Sequence, residues 1–166
     1  MTPRSSNNDF RCIHCGNYVS ALQVVSGVHN RNHCPYCLHS RHLDALKSGD
    51  RLSGCQAVMR PVGLTLKRTR NKYARAESGE LMLIHQCLGC GRLSINRIAA
   101  DDHSEGLLAV FNSSGELTPE LQSQIAAQDI RLLGVNDLNI VLTRLYGVGL
   151  KIGECVPAIR QNADAG

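Results

Sequence analysis

Three Cys-x-x-Cys pairs lie within the first ninety residues of the chain: Cys12/Cys15, Cys34/Cys37 and Cys87/Cys90. At this spacing two thiolates share one tight turn, which is the geometry of a zinc knuckle. Gly16 and Gly91 directly follow two of the pairs, and a glycine there can take the positive φ that lets main-chain N–H groups point at sulfur. The pattern therefore predicts a domain organised by metal. Redox-active or fortuitous thiols are the weaker interpretation of three equal spacings.

Two closed zinc sites need eight protein ligands, and the three pairs supply six. Cys55, between the second and third pairs, is predicted as the seventh. His85 is predicted as the eighth, because residues two apart in an extended segment face the same side and His85 precedes Cys87 by two. His42 is the main alternative to His85, and three further histidines are weaker ones: His33, His39 and His14.

The predicted first site thus contains Cys12, Cys15, Cys34 and Cys37. The predicted second site contains Cys55, His85, Cys87 and Cys90. A single shared site with leftover cysteines is the remaining alternative. With two Zn²⁺ ions, every coordination position would be filled by protein, as in structural sites.

The composition agrees with a small metal-organised protein. Aromatic residues make up 4% of the 166 residues and tryptophan is absent, so metal sites are expected to supply part of the folding free energy. No segment reads as a signal peptide or a membrane span, and we expect a cytoplasmic protein, in which paired cysteines bind metal rather than form disulfides. The formal net charge of +4 counts thiols as neutral, so local charge is more informative than the total.

The residues around the second pair read Arg31-Asn32-His33-Cys34-Pro35. Further motifs follow in order: Gly49-Asp50-Arg51 and Cys55, Met59 and Pro61, His85-Gln86-Cys87-Leu88-Gly89-Cys90-Gly91, Asn96-Arg97, and Asp101-Asp102. Together they resemble the RNHCP-domain family of small zinc-ribbon-like domains over residues 10–102. The resemblance implies the same eight cysteine and histidine ligands, but no activity. The basic stretch at 67–75 is longer than in the family pattern.

The predicted fold class is α+β. A small β-rich, zinc-ribbon-like module with two zinc sites spans residues 10–103, and a β-α-β-α appendage spans 104–166. In the appendage, the apolar run 107–111 and the run 130–133 are predicted strands. Thr118 and Pro119 predict the start of a helix that ends near Ala127. A second helix is predicted to begin at Asn136 and to stop at Gly147.

Polar residues beside the ligands are predicted to hold them in place: Arg31, Asn32, His33, His42, Asp44, Asp50 and Arg51. Arginines flanking the pairs, namely Arg11, Arg31 and Arg41, would offset the charge of the thiolates. Asn32 and His33 would hydrogen-bond the first turn. Asp44 would orient His42. Asp50 would form a buried pair with its neighbour Arg51.

A basic segment is the best candidate for recognition. Apolar residues alternate from Val62 to Leu66 and again from Leu81 to His85, which predicts a β-hairpin. Its tip, 67–75, carries five cations and a tyrosine, and guanidinium groups suit phosphate while an aromatic ring can stack on a base. The predicted RNA-binding residues are Arg60, Lys67, Arg68, Arg70, Lys72, Tyr73 and Arg75. The competing interpretation is a solvated turn that only aids solubility.

These features favour a structural zinc protein that binds RNA, with ribosomal RNA and neighbouring ribosomal proteins as its expected partners. One alternative is a protein–protein adaptor that uses an apolar helix face: Leu138, Val141, Leu142 and Leu145. A zinc-supported nuclease is a weaker alternative, because two filled metal sites leave no position for water. We predict no catalytic residue, no small-molecule substrate and no membrane partner.

Overall fold

The computed structural model of the protein describes residues 8–67 and 78–147. Within them, a small antiparallel sheet pairs β1 (Phe10–Arg11) with β2 (Tyr18–Val19). A second antiparallel sheet has four strands in chain order: β3 (Ser40–Arg41), β4 (Val58–Leu66), β5 (Leu81–Cys87) and β6 (Leu93–Arg97). The helices are α1 (Gln23–Ser26), α2 (Ser104–Ser113), α3 (Pro119–Ala127) and α4 (Leu138–Tyr146). Short 3-10 turns precede α3 and α4.

The predicted hairpin is confirmed as β4 and β5. The two strands pair from Met59 opposite Cys87 to Leu66 opposite Leu81, with a bulge between Pro61 and Gly63. A Cβ at Gly63 would lie 2.4 Å from Cδ1 of Leu132, so glycine lets the segment after α3 approach the strand. Of the predicted tip at 67–75, Lys67 is described and residues 68–75 lie outside the described residues.

Apolar side chains cover both faces of the four-stranded sheet. Leu83 and Ile84 are consecutive in β5 and therefore point to opposite faces, and each belongs to a different buried cluster. On one face lie Leu38, Leu64, Leu66, Leu81, Leu83, Leu107, Phe111, Leu133 and Val141. On the other lie Val62, Ile84, Leu93, Leu121 and Ile125. The helices after residue 103 thus pack directly on the hairpin.

Within the described part of the appendage, residues 104–147, neither predicted strand is present. Residues 107–111 belong to α2, and 130–133 form an extended loop joined to β4 by the hydrogen bond from Leu133 N to Leu64 O, 2.9 Å long. The strand prediction for 107–111 was wrong because Leu107 and Phe111, four residues apart, share one buried helix face. The β-α-β-α order is therefore replaced by three helices.

The two predicted helices of this region are confirmed, with one boundary shifted. Thr118 caps α3, and its Oγ1 accepts a hydrogen bond from Leu121 N at 3.4 Å. Asp137 rather than Asn136 stands at the start of α4, and Gly147 ends that helix with a φ of 71°. The apolar face of α4 packs against its own sheet through Val141. Among the described residues, no helix has the length and apolar character needed to cross a membrane.

Candidate metal centres

The four cysteines predicted for the first site meet in one place, and we call them cluster one: Cys12, Cys15, Cys34 and Cys37. All four sulfur atoms lie within 4.8 Å of one another. Sγ of Cys12 is 3.6 Å from Sγ of Cys37, and Sγ of Cys15 is 3.6 Å from Sγ of Cys34. A tetrahedral metal–thiolate site needs sulfur atoms at about this separation, given Zn–S bonds of about 2.3 Å.

One local turn recurs at all three Cys-x-x-Cys pairs. In each, the carbonyl of the first cysteine accepts a 2.9 Å hydrogen bond from the N–H four residues later, at Gly16, Leu38 and Gly91. All three residues have positive φ, which glycine adopts without strain and leucine does not. Leu38 is 2% exposed and belongs to the main apolar cluster, so its burial offsets the strain and anchors the second knuckle to the sheet.

The second group of ligands, which we call cluster two, contains His42, Cys55, Cys87 and Cys90. Sγ of Cys55 lies 3.6 Å from Sγ of Cys87, and Nδ1 of His42 lies 3.4 Å from Sγ of Cys90. The three predicted cysteines are therefore brought together, but His42 takes the place predicted for His85.

Strand pairing explains why His42 reaches cluster two. Arg41 pairs with Val58 across β3 and β4, and the N–H of His42 donates to the carbonyl of Ala57 at 2.9 Å. The N–H of Leu88, inside the third knuckle, donates to Val58 O at 2.9 Å. These bonds bring His42 to the third knuckle, although it lies more than forty residues away in the chain. Local spacing cannot reveal such a pairing.

His85 has a different role, which corrects its assignment as a ligand. The side chain is fully buried, and its Nε2 lies 2.7 Å from the carbonyl oxygen of Leu38. Its Nδ1 lies 2.9 Å from Nδ2 of Asn96, so both ring nitrogens have hydrogen-bond partners. Burial lowers the pKa of His85 to about 3, which keeps the ring neutral near pH 7. His85 thereby joins the second knuckle to β5.

The donor sets fit zinc. Burial raises the pKa of Cys34 to about 11. Desolvation acts to raise the pKa of Cys15, but hydrogen bonds from the Asn17 N–H and from the neighbouring thiols together outweigh it, and the pKa falls to about 7. Without metal the four thiols of cluster one would not all ionise at neutral pH, and a bound cation would displace their protons. Four thiolates in cluster one, and three thiolates with one imidazole in cluster two, are donor sets of closed structural zinc sites.

A third group of ligand-type atoms adjoins cluster one and shares Cys37 with it. It adds His14 and His39, whose rings stack with centroids 3.5 Å apart and planes 3° apart. Nδ1 of His39 lies 3.0 Å from the carbonyl oxygen of Cys37. Stacking of this kind is a packing contact in its own right.

The predicted charge-offsetting role of Arg31 is replaced by a buried ion-pair network. The guanidinium lies 2.8 Å from Asp101 and 3.4 Å from Asp102, and its Nε donates to His33 O at 3.2 Å. Nε2 of His33 lies 2.7 Å from the Asp102 carboxylate, which also accepts the Ala99 N–H. Arg31 and His33 thus fasten the second knuckle to the segment after β6, whose two carboxylates had no role predicted from the sequence.

The remaining polar residues shape the loop between β3 and β4. Asp44 accepts hydrogen bonds from Asn32 Nδ2 at 2.9 Å, Gly49 N at 2.8 Å and Arg51 N at 3.1 Å, rather than orienting His42 as predicted. Asp50 accepts main-chain N–H groups instead of the predicted pair with Arg51, and the donors are Ala45, Leu46, Lys47 and Leu52. These donors, led by Lys47, hold the pKa of Asp50 below its usual range.

Two of the predicted RNA-binding residues are described. Arg60 is exposed on β4, and its Nη2 donates to Gln86 Oε1 on β5 at 2.8 Å. Lys67 is exposed at the end of the hairpin, and its N–H donates to Glu80 O at 2.8 Å. The other five lie outside the described residues: Arg68, Arg70, Lys72, Tyr73 and Arg75.

Comparison with known families gives one match. The model described as RNHCP domain matches residues 7–108, which is more than half of the chain. The matched range contains both ligand clusters, the hairpin and the carboxylates that bind Arg31. No curated protein and no solved structure shows significant similarity to the chain.

Proposed function

The chain belongs to the RNHCP domain family, and from that premise and its two ligand clusters we propose that it is a structural zinc protein that binds RNA. The observation that carries the proposal is the place of the basic segment. Cluster two lies at the base of the β4–β5 hairpin, where Cys87 pairs with Met59, and the connection between the strands contains five cations within residues 67–75.

Zinc would have a structural role in both clusters. Each contains four protein ligands, so a tetrahedral ion would keep no open position for water or substrate. When bound, the ions would offset part of the negative charge of the thiolates and fix the knuckles against the sheet. We therefore propose no catalytic activity, and the clusters serve to hold a binding surface in place.

The hairpin supplies a firm base for a phosphate-binding segment. Leu66 pairs with Leu81, and the Lys67 N–H bonds to Glu80 O, so the ends of the basic connection are held together. The connection carries Lys67, Arg68, Arg70, Lys72 and Arg75, with Tyr73 among them. Arginine and lysine bind phosphates in any sequence, and a tyrosine can stack on an unpaired base.

A ribosomal particle is the proposed setting, with ribosomal RNA and neighbouring ribosomal proteins as partners. The support is an analogy: small metal-organised proteins with basic loops suit a surface of folded RNA, where metal replaces a large apolar core. The adaptor alternative gains no support from α4, because its apolar face is used within the protein's own core.

The test replaces the five cations of residues 67–75 with glutamine and measures affinity for a single-stranded RNA over a range of salt concentrations. We expect a lower RNA-binding constant K and a shallower slope of log K against log salt concentration. The slope should decrease in magnitude by up to about 0.7 for each phosphate that the variant no longer binds. The control is Arg92→Gln/Arg97→Gln, which removes two exposed charges on or beside β6. An equal decrease per charge in both variants would contradict the assigned role of the connection.

The ribosomal setting needs its own experiment. Native lysate is sedimented through a sucrose gradient at low and high salt, with and without RNase, and the protein is followed by immunoblot. Co-migration with a ribosomal particle that RNase abolishes is the expected result. Migration only at the top of the gradient, even at low salt, would remove the ribosome from the proposal.

A further inference from the structure

A cavity of about 260 Å³ lies beside cluster one, between the start of the chain's described part and β3. Residues 8–13 line one side, and Asn32, residues 39–41 and Leu43 line another. Four arginines line it: Arg31, whose guanidinium is paired with Asp101 and Asp102, and a further three, Arg11, Arg41 and Arg51. We call this cavity the arginine cleft. From the sequence, Arg11 and Arg41 are expected only to offset the charge of the thiolates.

Main-chain carbonyls orient the three guanidinium groups. Nη1 of Arg11 donates to Gly16 O at 3.3 Å, Nε of Arg41 donates to Gln56 O at 3.1 Å, and Nη2 of Arg51 donates to Arg31 O at 3.3 Å. At the exposed Arg11 and Arg41, the carbonyl fixes the guanidinium without neutralising it. Arg31 shows the contrast, because its charge is met by the carboxylates of Asp101 and Asp102.

The backbone around the cleft is held in place as well. Arg51 and Gln56 have positive φ values of 55° and 53°, which are uncommon for residues other than glycine. The N–H of Arg51 is held by Asp44 at 3.1 Å. Strained backbone persists where the surrounding structure fixes it, and here it sets the positions of one arginine and of the carbonyl that orients another.

The cleft carries more positive than negative charge. Asp9 is its carboxylate, and it accepts hydrogen bonds from the Tyr18 hydroxyl and from Ala21 N, which is 2.7 Å away. Arg11 and Arg41 alone outnumber this carboxylate, so the lining is cationic. Arg11 and Arg41 are exposed, so an anion can reach them from solvent.

We propose that the arginine cleft binds one nucleotide of single-stranded RNA, with the arginines on its phosphate and Phe10 beside its base. This inference rests on the proposed RNA-binding function. Guanidinium groups bind phosphate oxygens through paired N–H donors, and an aromatic side chain supplies a stacking surface for any base. The cavity volume is just below the range for small-ligand sites, so the cleft has room for one nucleotide at most and none for a duplex.

The cleft and the basic connection lie at opposite ends of β4. Arg41 pairs with Val58 at the start of the strand, and the connection begins after Leu66 at its end. Eight residues of strand span about 26 Å at about 3.3 Å per residue. The two sites therefore contact separate nucleotides of one strand, and their contributions to binding are expected to be additive.

The test uses the full zinc-loaded chain. Uridine monophosphate is titrated into ¹⁵N-labelled protein, and a short fluorescent oligouridylate is titrated by anisotropy. The variant Arg11→Gln/Arg41→Gln should weaken oligonucleotide binding by roughly tenfold or more, because it removes two guanidinium groups that make charge-assisted hydrogen bonds. Phe10→Leu should weaken it by roughly fivefold or more, because leucine has no ring on which a base can stack. Arg92→Gln/Arg97→Gln, which removes the same charge elsewhere, is the control.

The outcomes separate the two proposals. Shifts from uridine monophosphate confined to residues around Phe10, Arg11 and Arg41, with reduced affinity in the cleft variants only, support the cleft. Oligonucleotide binding that depends on residues 67–75 but is unchanged in the cleft variants overturns the cleft and leaves the proposed function standing. Nucleotide binding at the cleft without binding of longer RNA overturns the proposed function instead. Unchanged zinc content in every variant confirms that folding is intact.

Discussion

Two regions of this protein gain their stability in different ways. The first, residues 8–41, surrounds cluster one and has a small apolar cluster of its own, formed by Cys12, Val19 and Cys34 with Phe10 and Cys37 packed beside it. The second comprises β4, β5 and β6 of the four-stranded sheet with the helices after them, and it buries apolar side chains on both faces of the sheet. Two of the three buried residues of that apolar cluster, Cys12 and Cys34, are also members of cluster one. A metal ion in cluster one would therefore replace much of the core in the first region, and one in cluster two would supplement the core in the second.

Leu38 joins the two regions, whereas cluster two belongs to the second, because all four of its ligands follow residue 41. The ligands of cluster two extend from the loop after β3 to the knuckle after β5, so a metal ion would close the ends of the sheet. Leu38 ends the second knuckle but is buried in the core of the sheet. The difference between the two regions therefore predicts that a substitution lowers the stability of its own region more than that of the rest of the chain.

Loss of metal from cluster one should have the largest effect. Cys34→Ser removes a buried thiolate, and a structural zinc site contributes on the order of 10 kcal/mol of apparent binding free energy. We expect one equivalent of zinc instead of two and loss of amide protection over residues 8–41. Hydrogen exchange with zinc analysis measures both.

The sheet should survive that substitution, which is what distinguishes the two regions. Amides of Leu64 and Leu83 are expected to stay protected in Cys34→Ser. Uniform loss of protection throughout the chain would contradict a metal-dependent region beside a core-dependent one.

A substitution in the core of the sheet should destabilise the sheet and leave the region around cluster one intact, with a smaller effect than loss of metal. Leu83→Ala empties a fully buried position in β5 and should cost about 2–5 kcal/mol of the free energy of unfolding. Urea denaturation followed by circular dichroism measures the cost. Zinc in cluster one should be retained below the transition, and its early release would indicate that the regions are not separate.

Removal of His85 should destabilise the protein without removing zinc. His85→Ala leaves the Leu38 carbonyl and the Asn96 amide without their buried partner, at a cost of about 1–3 kcal/mol. The matched variant His42→Ala should lose zinc affinity at cluster two. Zinc competition with a chromophoric chelator compares the two, and the opposite ranking would restore His85 as the ligand.

The smallest effect is predicted for a substitution at the start of α3, which follows the residues that the family model matches. Thr118→Ala removes the side-chain cap of α3 and should cost about 1 kcal/mol. Thr118→Ser keeps the hydroxyl and serves as its control. A decrease in the urea midpoint confined to Thr118→Ala, with two zinc ions retained, is the expected result. Equal midpoints for both variants would show that the cap contributes nothing.

The sequence allowed prediction of those features that depend on short spacing. The three knuckles, the β4–β5 hairpin and the start of α3 follow from residues within a few positions of each other. His42 could not be assigned to cluster two, because its position depends on the pairing of β3 with β4. The partners of Arg31 likewise lie about seventy residues away.

The region 107–111 shows a different limit. A run of five apolar residues is equally compatible with a buried strand and with a buried helix. Only packing against β4 selects the helix. One clue was present in the sequence, since Leu107 and Phe111 are four residues apart and follow a serine at the helix start.

The most direct test of the central claim is ¹¹³Cd NMR of the cadmium-substituted chain, with proton correlation to assign each ligand. We predict two cadmium resonances. One should couple to the β-protons of Cys12, Cys15, Cys34 and Cys37, and the other to those of Cys55, Cys87 and Cys90 and to the ring protons of His42. A single resonance, or coupling to His85 in place of His42, would contradict the account.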